Sequence, residues 1–103
     1  MSLSKFRTYQ LAVEFHREAT RVSFPGYLRD QLLRAASSFA LNLAEGSAKP
    51  SAKERLRFYR ISLGSLRECQ AVLDLLPQRE PAVAALSDRL GAPLYKLVRS
   101  GAP

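Results

Sequence analysis

Tryptophan is absent from the chain, and cysteine, histidine and methionine occur once each. A single cysteine, Cys69, can close no intramolecular disulfide and build no cysteine zinc cluster; inside an apolar stretch it reads as a small buried hydrophobe. The lone His16 has no second histidine or carboxylate pair beside it, so a packed, hydrogen-bonded role is expected of it and neither a metal ligand nor a general base. Glycine-rich phosphate loops, an HExxH pair and a nucleophile elbow are all missing, and the SLGS around Gly64 lies mid-helix without a base. An enzyme is therefore the least supported class, and no catalytic, cofactor or metal residue is assigned. No apolar run approaches the roughly 20 residues that a membrane span needs, and MSLSKFRTYQ lacks the apolar core of a signal peptide or anchor, so a cytoplasmic protein without membrane contact is expected. Acidic residues are also scarce, nine against sixteen Lys and Arg, leaving a net charge of +7. Such an excess favours polyanionic partners.

What is present is helical periodicity. With 47% hydrophobic residues and no internal repeat or low-complexity run, the 103 residues read as one folded domain. Four stripes of 3.6-residue period, separated by Pro and Gly, predict an all-α, antiparallel up-down four-helix bundle with helices at about 5–22, 27–45, 52–76 and 81–98. Ser4 is the expected cap of the first helix, whose stripe is Phe6, Tyr9, Ala12, Val13, Phe15, Ala19 and Val22, and Phe24-Pro25-Gly26 ends it. In the second, Leu28, Leu32, Ala35, Ala36, Phe39, Ala40, Leu43 and Ala44 share a face, and Gly46 is expected to stop the helix in the left-handed conformation. Ser51 and Glu54 form a capping box for the third. That helix is apolar over well more than half its circumference, which predicts a second interface with another subunit; Gly64 in its middle suggests close approach of a neighbouring backbone. Pro77 ends it and Pro81 opens the fourth, where Pro93 predicts a kink or break, with fraying from Ser100 to Pro103.

The run Gln31-Leu32, Arg34-Ala35-Ala36, Ser38, Leu41-Asn42-Leu43-Ala44-Glu45-Gly46, Lys49, Ser51, Glu54, Leu56-Arg57-Phe58 and Leu63-Gly64-Ser65-Leu66, with Tyr9-Gln10, Ala12 and Phe24-Pro25 upstream, resembles the four-helix-bundle proteins encoded in bacterial intervening sequences of 23S ribosomal RNA. Accessory proteins of diversity-generating retroelements are relatives of that family. The resemblance spans roughly residues 6 to 100. It implies a homo-oligomeric bundle, preferentially a pentamer, and, from the retroelement relatives, nucleic-acid binding and association with a reverse transcriptase.

Two polar patterns stand apart from the core stripes. On the second helix, Gln31, Arg34, Ser38, Asn42 and Glu45 form a narrow line; Glu45 at the helix C-terminus is opposed by the dipole and calls for a cationic partner, Arg34 or a basic residue at the corner. A structural network of Arg34, Asn42 and Glu45 stands ahead of a ligand site there. On the third, Lys53, Arg57, Arg60 and Arg67 form a stripe, with Lys49 and Arg55 near its start and Glu54 the one acid between Lys49 and Arg60. Like charges at these spacings repel, so a polyanion would relieve the stripe. Non-specific binding of RNA or DNA through Lys49, Lys53, Arg55, Arg57, Arg60 and Arg67 is the first functional expectation. The alternative is a structural or adaptor oligomer that binds a protein partner and no nucleic acid, the stripe being an ordinary solvated face.

Overall fold

A computed structural model describes residues 2–23, 26–77 and 80–101. A short 3₁₀ turn, Leu3–Lys5, precedes α1 (Arg7–Arg21), followed by α2 (Gly26–Ser47), α3 (Ala52–Leu75) and α4 (Pro81–Ser100), with no strand among the described residues. The helices pack in cyclic order, α1 on α2, α2 on α3, α3 on α4 and α4 back on α1, within an envelope of 42 × 21 × 19 Å. Cross-helix hydrogen bonds fix their directions. His16 meets Ser37 while Arg29 reaches the carbonyls of Thr20 and Val22; Ser38 meets Ser65 and Ser62 reaches the Phe39 carbonyl; Arg55 reaches the Gly101 carbonyl and Arg67 reaches Tyr95. In every pair the partner number falls as the other rises, so consecutive helices are antiparallel, as short links between helices of about 30 Å require.

The core is the sum of the four stripes. Phe15, Leu32, Phe39, Leu43, Tyr59, Leu66, Leu90 and Leu94 are buried along the axis, and Cys69 among them is fully covered. Burial and the nearby Glu68 push the Cys69 thiol up to about 12, so it is neutral and unreactive at neutral pH. Helix α3 lies between α2 and α4, which together half-bury Leu56, Phe58, Leu63, Leu73 and Leu76. Two neighbours thus cover more of its apolar arc than its sequence led one to expect. Ile61 and Leu75 stay exposed, as does Leu41 on α2.

Several local expectations are corrected. Ser4 does not cap α1: it lies in the 3₁₀ turn, which Ser2 caps, and the α1 N-cap is the buried Phe6. The Gln10 side chain donates to the Ser4 carbonyl and ties that turn to α1. Phe24 and Pro25 lie outside the described residues; α1 ends at Arg21, and α2 begins at Gly26. Gly46 is helical and takes no left-handed conformation. Its function is space: a Cβ there would stand 2.9 Å from both the Phe58 Cβ and the Tyr59 ring, so this glycine lets α3 approach α2 at the corner. Gly64, where close approach was expected, is exposed with nothing near its Cβ position. Ser51 accepts from the Glu54 N–H at 3.2 Å as a capping residue. Helix α4 runs on past Pro93 without a break. The proline costs the hydrogen bond to the Arg89 carbonyl, and Arg89 is exposed, so water can satisfy that oxygen. Ser100 is still helical, and Gly101, with φ 68°, closes α4 by donating to the Leu97 carbonyl at 2.8 Å, while Ala102 and Pro103, also expected to fray, lie outside the described residues.

Candidate nucleic-acid interface

The antiparallel topology gathers one end of every helix into one end of the bundle: the start of α1, the finish of α2, the start of α3 and the finish of α4. Cutting each helix at its midpoint assigns residues 2–13, 37–63 and 91–101 to this end, with Glu14 on the cut itself. Nine of the sixteen cationic side chains fall there, Lys5, Arg7, Lys49, Lys53, Arg55, Arg57, Arg60, Lys96 and Arg99, against two acids, Glu45 and Glu54. The whole net charge of +7 therefore belongs to these segments, and the rest of the chain carries seven charges of each sign. Lys5, Arg7, Lys53, Arg57, Arg60, Lys96 and Arg99 are exposed, and Lys49 is half-buried. The ion pair of Arg21 with Glu18, at 2.9 Å, lies at the opposite end. The cations of the basic end have no carboxylate partner among the described residues.

The individual side chains separate into two kinds. Arg55 is structural: its guanidinium donates to the Gly101 carbonyl and to those of Lys49 and Pro50 at 3.1 and 3.2 Å, tying the finish of α4 and the α2–α3 link to the start of α3. It adds charge to the end, and with Nε and Nη1 engaged by carbonyls it has the Nη2 donors left for a phosphate. Lys53 and Arg60 are exposed on α3, one turn to either side of the exposed Arg57. Lys49 Nζ lies 5.1 Å, and the Arg57 guanidinium carbon 5.7 Å, from the centre of the Phe58 ring. Arg67 starts from the other half of α3, but helical side chains lean toward the N-terminus, and its guanidinium reaches back to donate to the Tyr95 hydroxyl of α4 at 2.6 Å. Unbroken helix through Pro93 is what carries Tyr95, Lys96 and Arg99 to this end.

The polar line of α2 is a smaller network than expected. Asn42 donates to the Ser38 carbonyl at 2.8 Å and to its hydroxyl at 3.2 Å, and Ser38 and Ser65 share a hydrogen bond of 2.9 Å across the α2–α3 seam. Arg34 and Glu45 are both exposed and, among the described residues, bind neither each other nor another side chain. Among the described residues Glu45 meets no cation; water at the exposed last turn solvates the carboxylate and screens the dipole. Sequence reasoning missed Lys5, Arg7, Lys96 and Arg99 for this surface. They are separated along the chain by nearly its full length, and only the topology joins them.

All-α architecture with consecutive antiparallel helices and a strongly cationic end defines a basic four-helix-bundle protein. More narrowly, a sequence model of the 23S rRNA-intervening sequence protein family matches residues 4–96, so the chain belongs to that family. No curated protein and no solved structure matches it. No helix among the described residues is long and apolar enough to cross a membrane, and the described residues hold no cluster of His, Cys, Asp or Glu suited to a metal.

Proposed function

We propose that this protein binds nucleic acid through the phosphate backbone, with little sequence preference, as a homo-oligomer working in the cytoplasm. The observation that carries the reading is the confinement of the net charge of +7 to one end of the bundle. Lys53, Arg57 and Arg60 are the principal phosphate ligands, with Lys49 and Arg67 beside them and Lys5, Arg7, Lys96 and Arg99 widening the field. Cations without a carboxylate partner among the described residues suit contact with a strand backbone, and no base-reading motif accompanies them. The family's tie to 23S rRNA insertions favours RNA. Self-association, with a pentamer as the preferred count on family grounds, would repeat the cationic end and let one strand touch several subunits, adding modest contacts by multivalency. A reverse transcriptase is the protein partner suggested by the resemblance to retroelement accessory proteins.

Titration with RNA and DNA over a range of salt tests the reading. Each phosphate contact contributes roughly 0.7 to 0.9 to the slope of log affinity against log salt, so Arg57→Ala with Arg60→Ala should flatten the slope and weaken unrelated sequences equally while leaving the oligomer intact. No affinity for either polymer at low salt would transfer the case to a protein adaptor, a second reading favoured by the exposed Leu41, Ile61 and Leu75.

A further inference from the structure

We infer that the ligand of the basic end is single-stranded nucleic acid, RNA or DNA, whose bases stack on Tyr95 and Phe58 while the neighbouring cations hold the phosphates; this rests on the reading just proposed. Three of the cations already discussed meet an aromatic ring. Arg67 bonds the Tyr95 hydroxyl and lies over its ring, 5.9 Å from the centre, and Lys49 and Arg57 lie over the Phe58 ring. Tyr95 is 47% exposed, so part of its ring is open to a stacking base. Tyr27, the other strongly exposed aromatic, lies at the opposite end and meets no cation among the described residues.

The Arg67 hydrogen bond restrains the Tyr95 ring, so little conformational freedom remains to be lost when a base settles on it. Lys49, Glu54, Arg57 and Phe58 line an open cleft of about 300 Å³, which leaves room beside the second ring. A duplex offers phosphates and groove edges to such a surface, but its base faces are covered by their neighbours. A single strand offers both phosphates and free π-faces, and every base has one, so stacking adds affinity without sequence choice.

Anisotropy titrations of the full chain with labelled single-stranded RNA, single-stranded DNA and a duplex of the same sequence test this, using Tyr95→Leu, Tyr95→Phe and Phe58→Leu. Wild type should prefer both single strands to the duplex. Tyr95→Leu should lower single-strand affinity roughly 10-fold, in line with the usual contribution of one stacked base, with an unchanged salt slope and unchanged duplex binding. Tyr95→Phe should retain most of the affinity, because it keeps the ring. Equal affinity for duplex and single strand, or a Tyr95→Leu effect that is absent or shared equally by the duplex, overturns the inference while leaving the phosphate contacts standing. Loss of all binding in wild type at low salt overturns the underlying reading as well. Phe58→Leu is counted only if circular dichroism shows an intact fold; if it unfolds, the exposed Tyr95 decides alone.

Discussion

Two glycine-to-alanine substitutions in adjacent helices should act with opposite sign. Alanine is favoured over glycine within a helix by about 0.8 to 1.0 kcal/mol, so in isolation either change would stabilise. Gly64 is exposed on α3 with nothing within 4 Å of the added methyl, and Gly64→Ala should realise that gain. At Gly46 the methyl would lie 2.9 Å from Phe58 Cβ and 2.9 and 3.1 Å from two atoms of the Tyr59 ring. The first atom is fixed to the α3 backbone, and the ring is fully buried, so neither can withdraw without moving the helix. Forced overpacking of this kind costs about 1 to 3 kcal/mol; set against the propensity gain, Gly46→Ala should destabilise by up to about 2 kcal/mol. With a shift of roughly 4 to 8 °C per kcal/mol for a domain of this size, the two variants should melt on opposite sides of wild type. Thermal and urea unfolding at one fixed protein concentration reads the difference, since self-association would otherwise shift both midpoints. Equal stabilisation by both alanines would refute the account of the α2–α3 corner. Destabilisation by Gly64→Ala, accompanied by a smaller oligomer, would instead locate a subunit contact at Gly64.

Arg55→Ala should cost about 2 kcal/mol in urea unfolding, because three carbonyls lose a charged donor, whereas the exposed Lys53→Ala should stay within about 0.5 kcal/mol of wild type. Tyr59→Phe should be neutral or stabilising in the same assay, since the buried Tyr59 hydroxyl lacks a partner among the described residues and its removal forfeits no bond. Stability should fall at alkaline pH. The Cys69 thiol ionises near 9.0 when unfolded but only at about 12 when folded, so deprotonation favours the unfolded chain as pH rises between those values; the loss is about 1.4 kcal/mol per pH unit. Urea midpoints from pH 8 to 11 should show this decline, and Cys69→Ala should remove its first part, leaving the contribution that begins near 10.0 from Tyr59, whose hydroxyl burial also raises against a smaller lowering by Arg55.

Much of the fold is legible because a helix buried on one side must repeat its apolar residues every three to four positions. The four stripes, Pro81 at the first turn of α4 and Ser51 before α3 all gave local signals that survive in the folded chain. The misreadings share a physical origin. Gly46, Gly64 and Pro93 have meanings set by what lies across from them, and a sequence does not say whether a glycine is needed for its backbone angle or for its missing Cβ. Glu45 looked paired because a dipole argument omits the water that reaches an exposed last turn. The cationic site was half visible: Lys53, Arg57 and Arg60 share a helix, so periodicity unites them, whereas Lys5, Arg7, Lys96 and Arg99 join them only through antiparallel packing. Arg55 carried no sign of its commitment to distant carbonyls, because Gly101 lies far along the chain.

In the proposed binding of nucleic acid, the location of the cations matters more than their total. The direct measurement compares two triple variants that lose the same number of charges: Lys53→Ala, Arg57→Ala and Arg60→Ala at the basic end, and Arg17→Ala, Arg34→Ala and Arg89→Ala at the other. Each keeps a net charge of +4, since three cations leave a chain of +7. The basic-end variant should lose most of its affinity for single-stranded RNA, with the salt slope reduced by roughly 0.7 for each contact removed, while the opposite-end variant should bind nearly as wild type does. Equal loss in both variants, or loss only in the second, would contradict the account.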